Sequence, residues 1–109
     1  MSTSEPRFRV GIPAAQRERL LRWTERSAVV GREQELVSAL ARVNYRLRYE
    51  ADGWGSQYYY LRHLGIRMRR GTEEMLIVYF GVHESLPEVF VSEFRLTAEF
   101  RAAIFLPPG

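Results

Sequence analysis

The chain contains no cysteine and no lysine. The first absence excludes disulfide staples and thiolate chemistry. The second makes all 16 basic residues arginine, which stays protonated and offers a planar fork of donors suited to phosphate. A chain that uses arginine alone also puts it at ordinary solvated sites, so no single arginine marks a site by itself. Histidine is scarce: His63 and His83 lie far apart and outside any HExxH spacing, which argues against a structural zinc site. No metal and no cofactor is therefore expected. No run is long and apolar enough to span a bilayer, so no membrane partner is expected. "MSTSEPRFRV" lacks the apolar core of a signal peptide, and a cytoplasmic location is the expectation.

What is present suits a folded domain. With 109 residues, 46% hydrophobic and 13% aromatic, the chain has material for one real core. A frayed N-terminus over residues 1–6 followed by a single domain over residues 7–109 is the expected organisation. The net charge of +3 favours an acidic partner, either a nucleic acid or an acidic protein.

Along the chain, "RFRVGIP" alternates Phe8, Val10 and Ile12 with Arg7, Arg9 and Gly11, as a half-buried strand does. Pro13 ends it and suits the first turn of a helix. "AAQRERLLRWTERSAVV" is rich in helix formers, with Leu20, Trp23 or Thr24, and Ser27 able to share one face. After Gly31, "REQELVSALARVNYRLRYE" places Leu36, Leu40, Val43 and Leu47 on one stripe, which predicts an amphipathic helix. The short break predicts a helical hairpin, its stripe buried against Phe8, Val10, Phe90 and Phe94. Arg42, Arg46 and Arg48 then read as a wet helix face.

"ADGWGSQ" is a loop and "YYYLRHLG" is either a short strand or a packed loop. Trp54, Tyr58, Tyr59 and Tyr60 read either as a base-stacking surface or, more simply, as a lid on the end of the core. "IRMRR" alternates, "GTEE" is a turn, and "MLIVYFGV" is apolar enough for a central strand. After the turn "HESLPE", "VFVSEFRL" sets Phe90, Phe94 and Leu96 against Val89, Val91, Glu93 and Arg95. "TAEFRAAIFLPPG" makes a short helical turn before Pro107 and Pro108, and its apolar residues Phe100, Ile104, Phe105 and Leu106 either fold back on the sheet, the favoured reading, or lie exposed until a partner covers them. The expected fold class is α+β: an N-terminal strand, a helical hairpin, then a three-stranded antiparallel meander. Arg67, Arg69, Tyr79, Glu93 and Arg95 are expected to share the sheet face that the helices leave open, with Arg70 on the opposite side.

This order of elements resembles the RelE/ParE superfamily of bacterial type II toxin–antitoxin toxins. Three stretches carry the resemblance: "RFRVGIP" leading into the helical hairpin, "YLRHLGIRMRRG" into the basic strand, and "LIVYFGVHESLPEVFVSEFRL" as the closing hairpin. The resemblance implies a toxin with a cognate antitoxin protein as partner. RelE-like members bind RNA on the ribosome and cut messenger RNA as metal-independent endoribonucleases. ParE-like members inhibit DNA gyrase, and a noncatalytic interaction protein on the same fold is the third outcome. By position in the family pattern, Arg67 and Arg69 match its phosphate-binding basic strand, and Arg95 its basic residue after the last strand. Two departures stand out. The tail offers Phe100 and Phe105 where RNA-cutting members often have a tyrosine, and Glu73 and Glu74 stand where they often have a basic residue.

RNA cleavage without a metal needs a base for the 2′-OH, cations for the phosphorane and an acid for the leaving oxygen. Arginine supplies only the cations. Proton transfer then falls to His83, His63, Glu93 or Tyr79, and His83 and Tyr79 share a strand face by period two. The plainer alternatives are a turn histidine at His83 and cations that guard a sheet edge at Arg67 and Arg69.

Overall fold

The computed structural model describes residues 5–105. Most of the expected frayed end lies outside these residues, as do Leu106, Pro107 and Pro108. The protein is α+β. Strand β1 (Arg9–Gly11) is followed by helices α1 (Ala14–Val29) and α2 (Glu33–Tyr49). Strands β2 (Ser56–Leu61), β3 (Ile66–Glu73), β4 (Leu76–His83) and β5 (Glu88–Leu96) come next, and helix α3 (Ala98–Phe105) closes the chain. The five strands form one sheet in the order β1-β5-β4-β3-β2.

The sheet is mixed. Strands β2 to β5 make an antiparallel meander, and β1 returns to pair parallel with β5 through Val10↔Val89. The meander therefore has one strand more than the sequence predicts, because "SQYYYL" supplies β2 before a short 3-10 turn at Arg62–Leu64. Strand β3 also runs on through "GTE", so the β3–β4 turn tightens to Glu74 and Met75, with Glu74 at a positive φ of 54°.

The helical hairpin packs on one face of the sheet. Leu36, Ala39, Val43 and Leu47 of α2 are buried with Val78, Phe80, Val91 and Phe94, while Leu40 is only partly buried. The expected stripe is right in phase and Ala39 belongs to it. Full burial of a leucine such as Leu36 or Leu47 contributes about 1.5–3 kcal/mol. Helix α1 contributes Trp23 and Ser27 to the core. It also covers the edge of β5 beyond the reach of β1: the Phe94 N–H donates to Gln16 Oε1 at 2.9 Å, and Arg19 Nη1 donates to the Phe94 carbonyl at 3.0 Å. Phe100 and Ile104 of α3 are buried in the same core, as the sequence predicts, whereas Phe105 is exposed. Among the described residues no helix is long and apolar enough to cross a membrane.

Strand β5 departs from simple alternation. Phe80 pairs with Val91 and Tyr79 with Glu93, so Ser92 is an extra residue, a β-bulge. Val89 and Val91 thus face the helices together with Phe94 and Leu96, and Phe90 faces the other way. The expected burial of Phe90 against the helical stripe is corrected accordingly. Its ring lies over Gly81, in space that a β-carbon would fill, with Ile66 Cγ2 beside it. Ile66 and Met68 are buried on this second face, outside the helix-side core.

Candidate functional site

Strand pairing decides which arginines meet, because directly opposed residues of an antiparallel pair share a face. Arg67 opposes Val82 and Arg69 opposes Phe80, and both partners belong to the helix-side core. Arg70 opposes Tyr79, Tyr79 opposes Glu93, and Ile77 opposes Arg95. Arg67 and Arg69 therefore do not converge with Tyr79 and Arg95 on the open face. Arg70 does. The expectation failed because it took Ile66 and Met68 as the core side of β3, whereas this sheet buries apolar residues on both faces.

Arg67 and Arg69 line a polar cleft of about 700 Å³ with Arg7, Asp52, Gln57, Glu84 and, at the end of β4, His83, among others. Its charges are mostly satisfied internally. Arg7 grips Asp52 with both terminal nitrogens, at 2.8 and 3.2 Å. That hydrogen bond holds the Asp52 carboxyl below its usual range, against the opposing effect of partial burial. Arg67 Nη2 pairs with Glu84 at 2.9 Å, and Glu84 also accepts from the Tyr60 hydroxyl at 2.9 Å. That bond pushes the Tyr60 hydroxyl up. Arg69 donates to the Trp54 and Gly55 carbonyls, both at 2.9 Å, and so clamps the α2–β2 loop to β3. Trp54 is buried and stacks on Phe80 at 5.4 Å, crossing Gly71, where a β-carbon would meet the ring at 2.6 Å. The lid expected of this aromatic group is real for Trp54 and wrong for Tyr58 and Tyr59.

On the open face, Tyr58 and Tyr59 are 52% and 58% exposed. Tyr58 meets Tyr79 edge to face at 5.8 Å, and its hydroxyl is pushed up first by partial burial. The Arg70 and Arg95 guanidinium carbons stand 5.9 and 5.1 Å from the Tyr79 ring centroid. Tyr79 also lines a pocket of about 580 Å³ with Arg19, Arg70, Glu93, Arg95 and Arg101. Four guanidinium groups there face the single carboxylate of Glu93. Glu93 binds Arg95 at 3.1 Å and Arg19 at 3.2 Å, and these bonds, the Arg95 bond first, hold it below the usual carboxylate range despite partial burial. Neither Arg70 nor Arg101 has a carboxylate partner among the described residues.

The five residues singled out in the sequence are thus divided. Arg67 and Arg69 line the helix-side cleft, Tyr79 and Arg95 line the open-face pocket, and His83 opposes Ile66 on the Tyr79 face at the end of β4, where it borders the cleft. His83 and Tyr79 do share a strand face, but they stand four positions apart, about 13 Å along the strand. The Phe90 ring over Gly81 fills the interval. They cannot serve one phosphate together. Sequence reasoning missed Arg19, Arg70 and Arg101 as site residues. Arg70 was recoverable from the β3–β4 register; Arg19 and Arg101 come from helices whose docking no local pattern shows. The described residues contain no cluster of three or more histidine and carboxylate groups able to hold a metal ion. No family model, no curated protein and no solved structure matches the chain.

Proposed function

We propose that the protein binds single-stranded RNA on the open face of its sheet. The observation that carries this reading is Tyr79 flanked by Arg70 and Arg95 beside the exposed rings of Tyr58 and Tyr59. Exposed rings offer π-faces to unstacked bases, and the arginines supply the cations that follow the backbone. A duplex hides its base faces and suits this surface poorly.

The order of strand, helical hairpin and antiparallel strands supports reading the protein as a RelE/ParE-like toxin. On that reading it acts as an RNA-binding component at the ribosome, and its antitoxin lays an acidic, partly apolar segment over the same face. Cleavage is not part of the proposal, because His83 and Tyr79 stand apart and Arg67 and Arg69 are held by internal bonds. This favours the noncatalytic alternative over the endoribonuclease.

The test is the anisotropy of a fluorescent single-stranded RNA across a salt series. Tyr79→Ala removes a stacking platform and is expected to weaken binding by about 1–3 kcal/mol. Arg70→Ala lowers affinity and flattens the log–log salt slope by about 0.7, the share of one phosphate contact on a single strand. Arg67→Ala, a change in the other cleft, leaves both nearly as they are. Equal losses for Arg67→Ala and Arg70→Ala would count against the open face.

A further inference from the structure

We infer that the pocket between α1, β5 and α3 is a phosphate subsite of this RNA face, closed in the free protein by the carboxylate of Glu93. The inference rests on the RNA reading for its ligand and on separate geometry for its mechanism. Glu93 Oε2 is 3.2 Å from Arg19 Nη1, and Oε1 is 3.1 Å from Arg95 Nη2. Two oxygens of one anion thus bridge two guanidinium groups carried on different elements, an arrangement that two oxygens of a phosphodiester can reproduce.

Both arginines have anchors other than Glu93. Arg19 also donates to the Phe94 carbonyl at 3.0 Å and lies 5.8 Å from the Trp23 ring centroid. Arg95 lies over Tyr79 at 5.1 Å. The two cations therefore keep their places when the carboxylate leaves. The Glu93 side chain is 33% accessible, so water can take it up without unfolding the strand. Arg101 lines the same pocket from α3 with no carboxylate of its own among the described residues, and adds a third cation for an entering phosphate.

The consequence is a threshold. A small free anion must displace an intramolecular carboxylate already present at high effective concentration. An RNA strand whose base is stacked on Tyr79 brings its phosphate to the pocket under the same advantage. Glu93 thereby selects a tethered phosphate over a free one.

Glu93→Gln keeps the shape of the side chain and removes its charge. Glu99→Gln, on the exposed surface of α3, controls for a general gain in positive charge. Two titrations are read on wild type and both variants: anisotropy with single-stranded RNA, and the arginine side-chain NMR signals of Arg19 and Arg95 with pyrophosphate. Glu93→Gln is expected to tighten RNA binding about 3–30-fold, the effect of freeing charge-assisted contacts. It should also move the Arg19 and Arg95 signals at lower pyrophosphate concentration than wild type does. Glu99→Gln should stay within about twofold of wild type, as a single exposed charge change does. Suppose wild type binds RNA, Tyr79→Ala does not, and Glu93→Gln gains no more than Glu99→Gln. The closed subsite is then overturned while the RNA face stands. If wild type binds no RNA but pyrophosphate moves both arginines in Glu93→Gln, the RNA reading falls and the anion subsite remains.

Discussion

Arg67 and Arg70 lie three positions apart in a chain rich in arginine, and they work on opposite faces of one strand. Arg67 is tied to Glu84 at 2.9 Å, whereas Arg70 stands over Tyr79 with no carboxylate partner among the described residues. A cation already held by an internal carboxylate must give it up before it can take a phosphate. This is why Arg70 outranks the arginine that the sequence pattern favours. The same logic sets the pH dependence of the helix-side cleft. The Arg7 hydrogen bond lowers the folded-state value of Asp52, so the pair contributes its stability above the unfolded value of about 3.9 and loses it as pH falls through the folded value. Both side chains are about half exposed (56% and 51%), so screening keeps the contribution small. Asp52→Asn is expected to lower stability at pH 7 by about 0.2–1 kcal/mol. Urea titrations at pH 7 and pH 2.5 check this: the gap between the proteins should shrink at the lower pH, and a constant gap would assign the loss to something other than charge.

At the scale of elements, the helices were legible and the strand faces were not. Leu36, Val43 and Leu47 repeat at helical spacing on a helix with one apolar side, so their phase could only point one way. Leu36→Ala or Leu47→Ala is expected to cost about 2–5 kcal/mol, and Leu40→Ala less, because Leu40 is only partly buried. Denaturant midpoints for the three variants give the order directly, and an equal loss at Leu40 would shift the helix face. The strands mislead for two physical reasons. The extra residue at Ser92 changes the phase of β5, so that Phe90 and Phe94 fall on opposite faces although both are large and aromatic. Strand β3 buries Ile66 and Met68 on the side away from the helices, so its apolar alternation names the wrong face as core. A bulge and a second apolar cluster are tertiary facts, and neither leaves a mark in local periodicity. The candidate site was therefore legible in its residue types, Tyr79 and Arg95 among them. Its membership was not, because that depends on the β3–β4 register and on helices α1 and α3 arriving beside β5.

The whole molecule is asymmetric. One face of the sheet carries all three helices and a polar cleft whose charges are largely paired. The other carries exposed tyrosines and, at the β5 edge where Arg19 of α1 and Arg101 of α3 reach it, opens into a pocket where four guanidinium groups meet one carboxylate. A net charge of +3 spread evenly would predict only weak, general attraction to a polyanion, but this concentration beside aromatic rings predicts a docking face. The most direct test is side-chain NMR during titration with a short single-stranded RNA, following the Tyr58, Tyr59 and Tyr79 rings and the guanidinium signals of Arg7, Arg67, Arg70 and Arg95. The account predicts saturable shifts for the three rings, Arg70 and Arg95, with Arg7 and Arg67 unmoved. Shifts confined to Arg7 and Arg67, with the tyrosine rings silent, would contradict it.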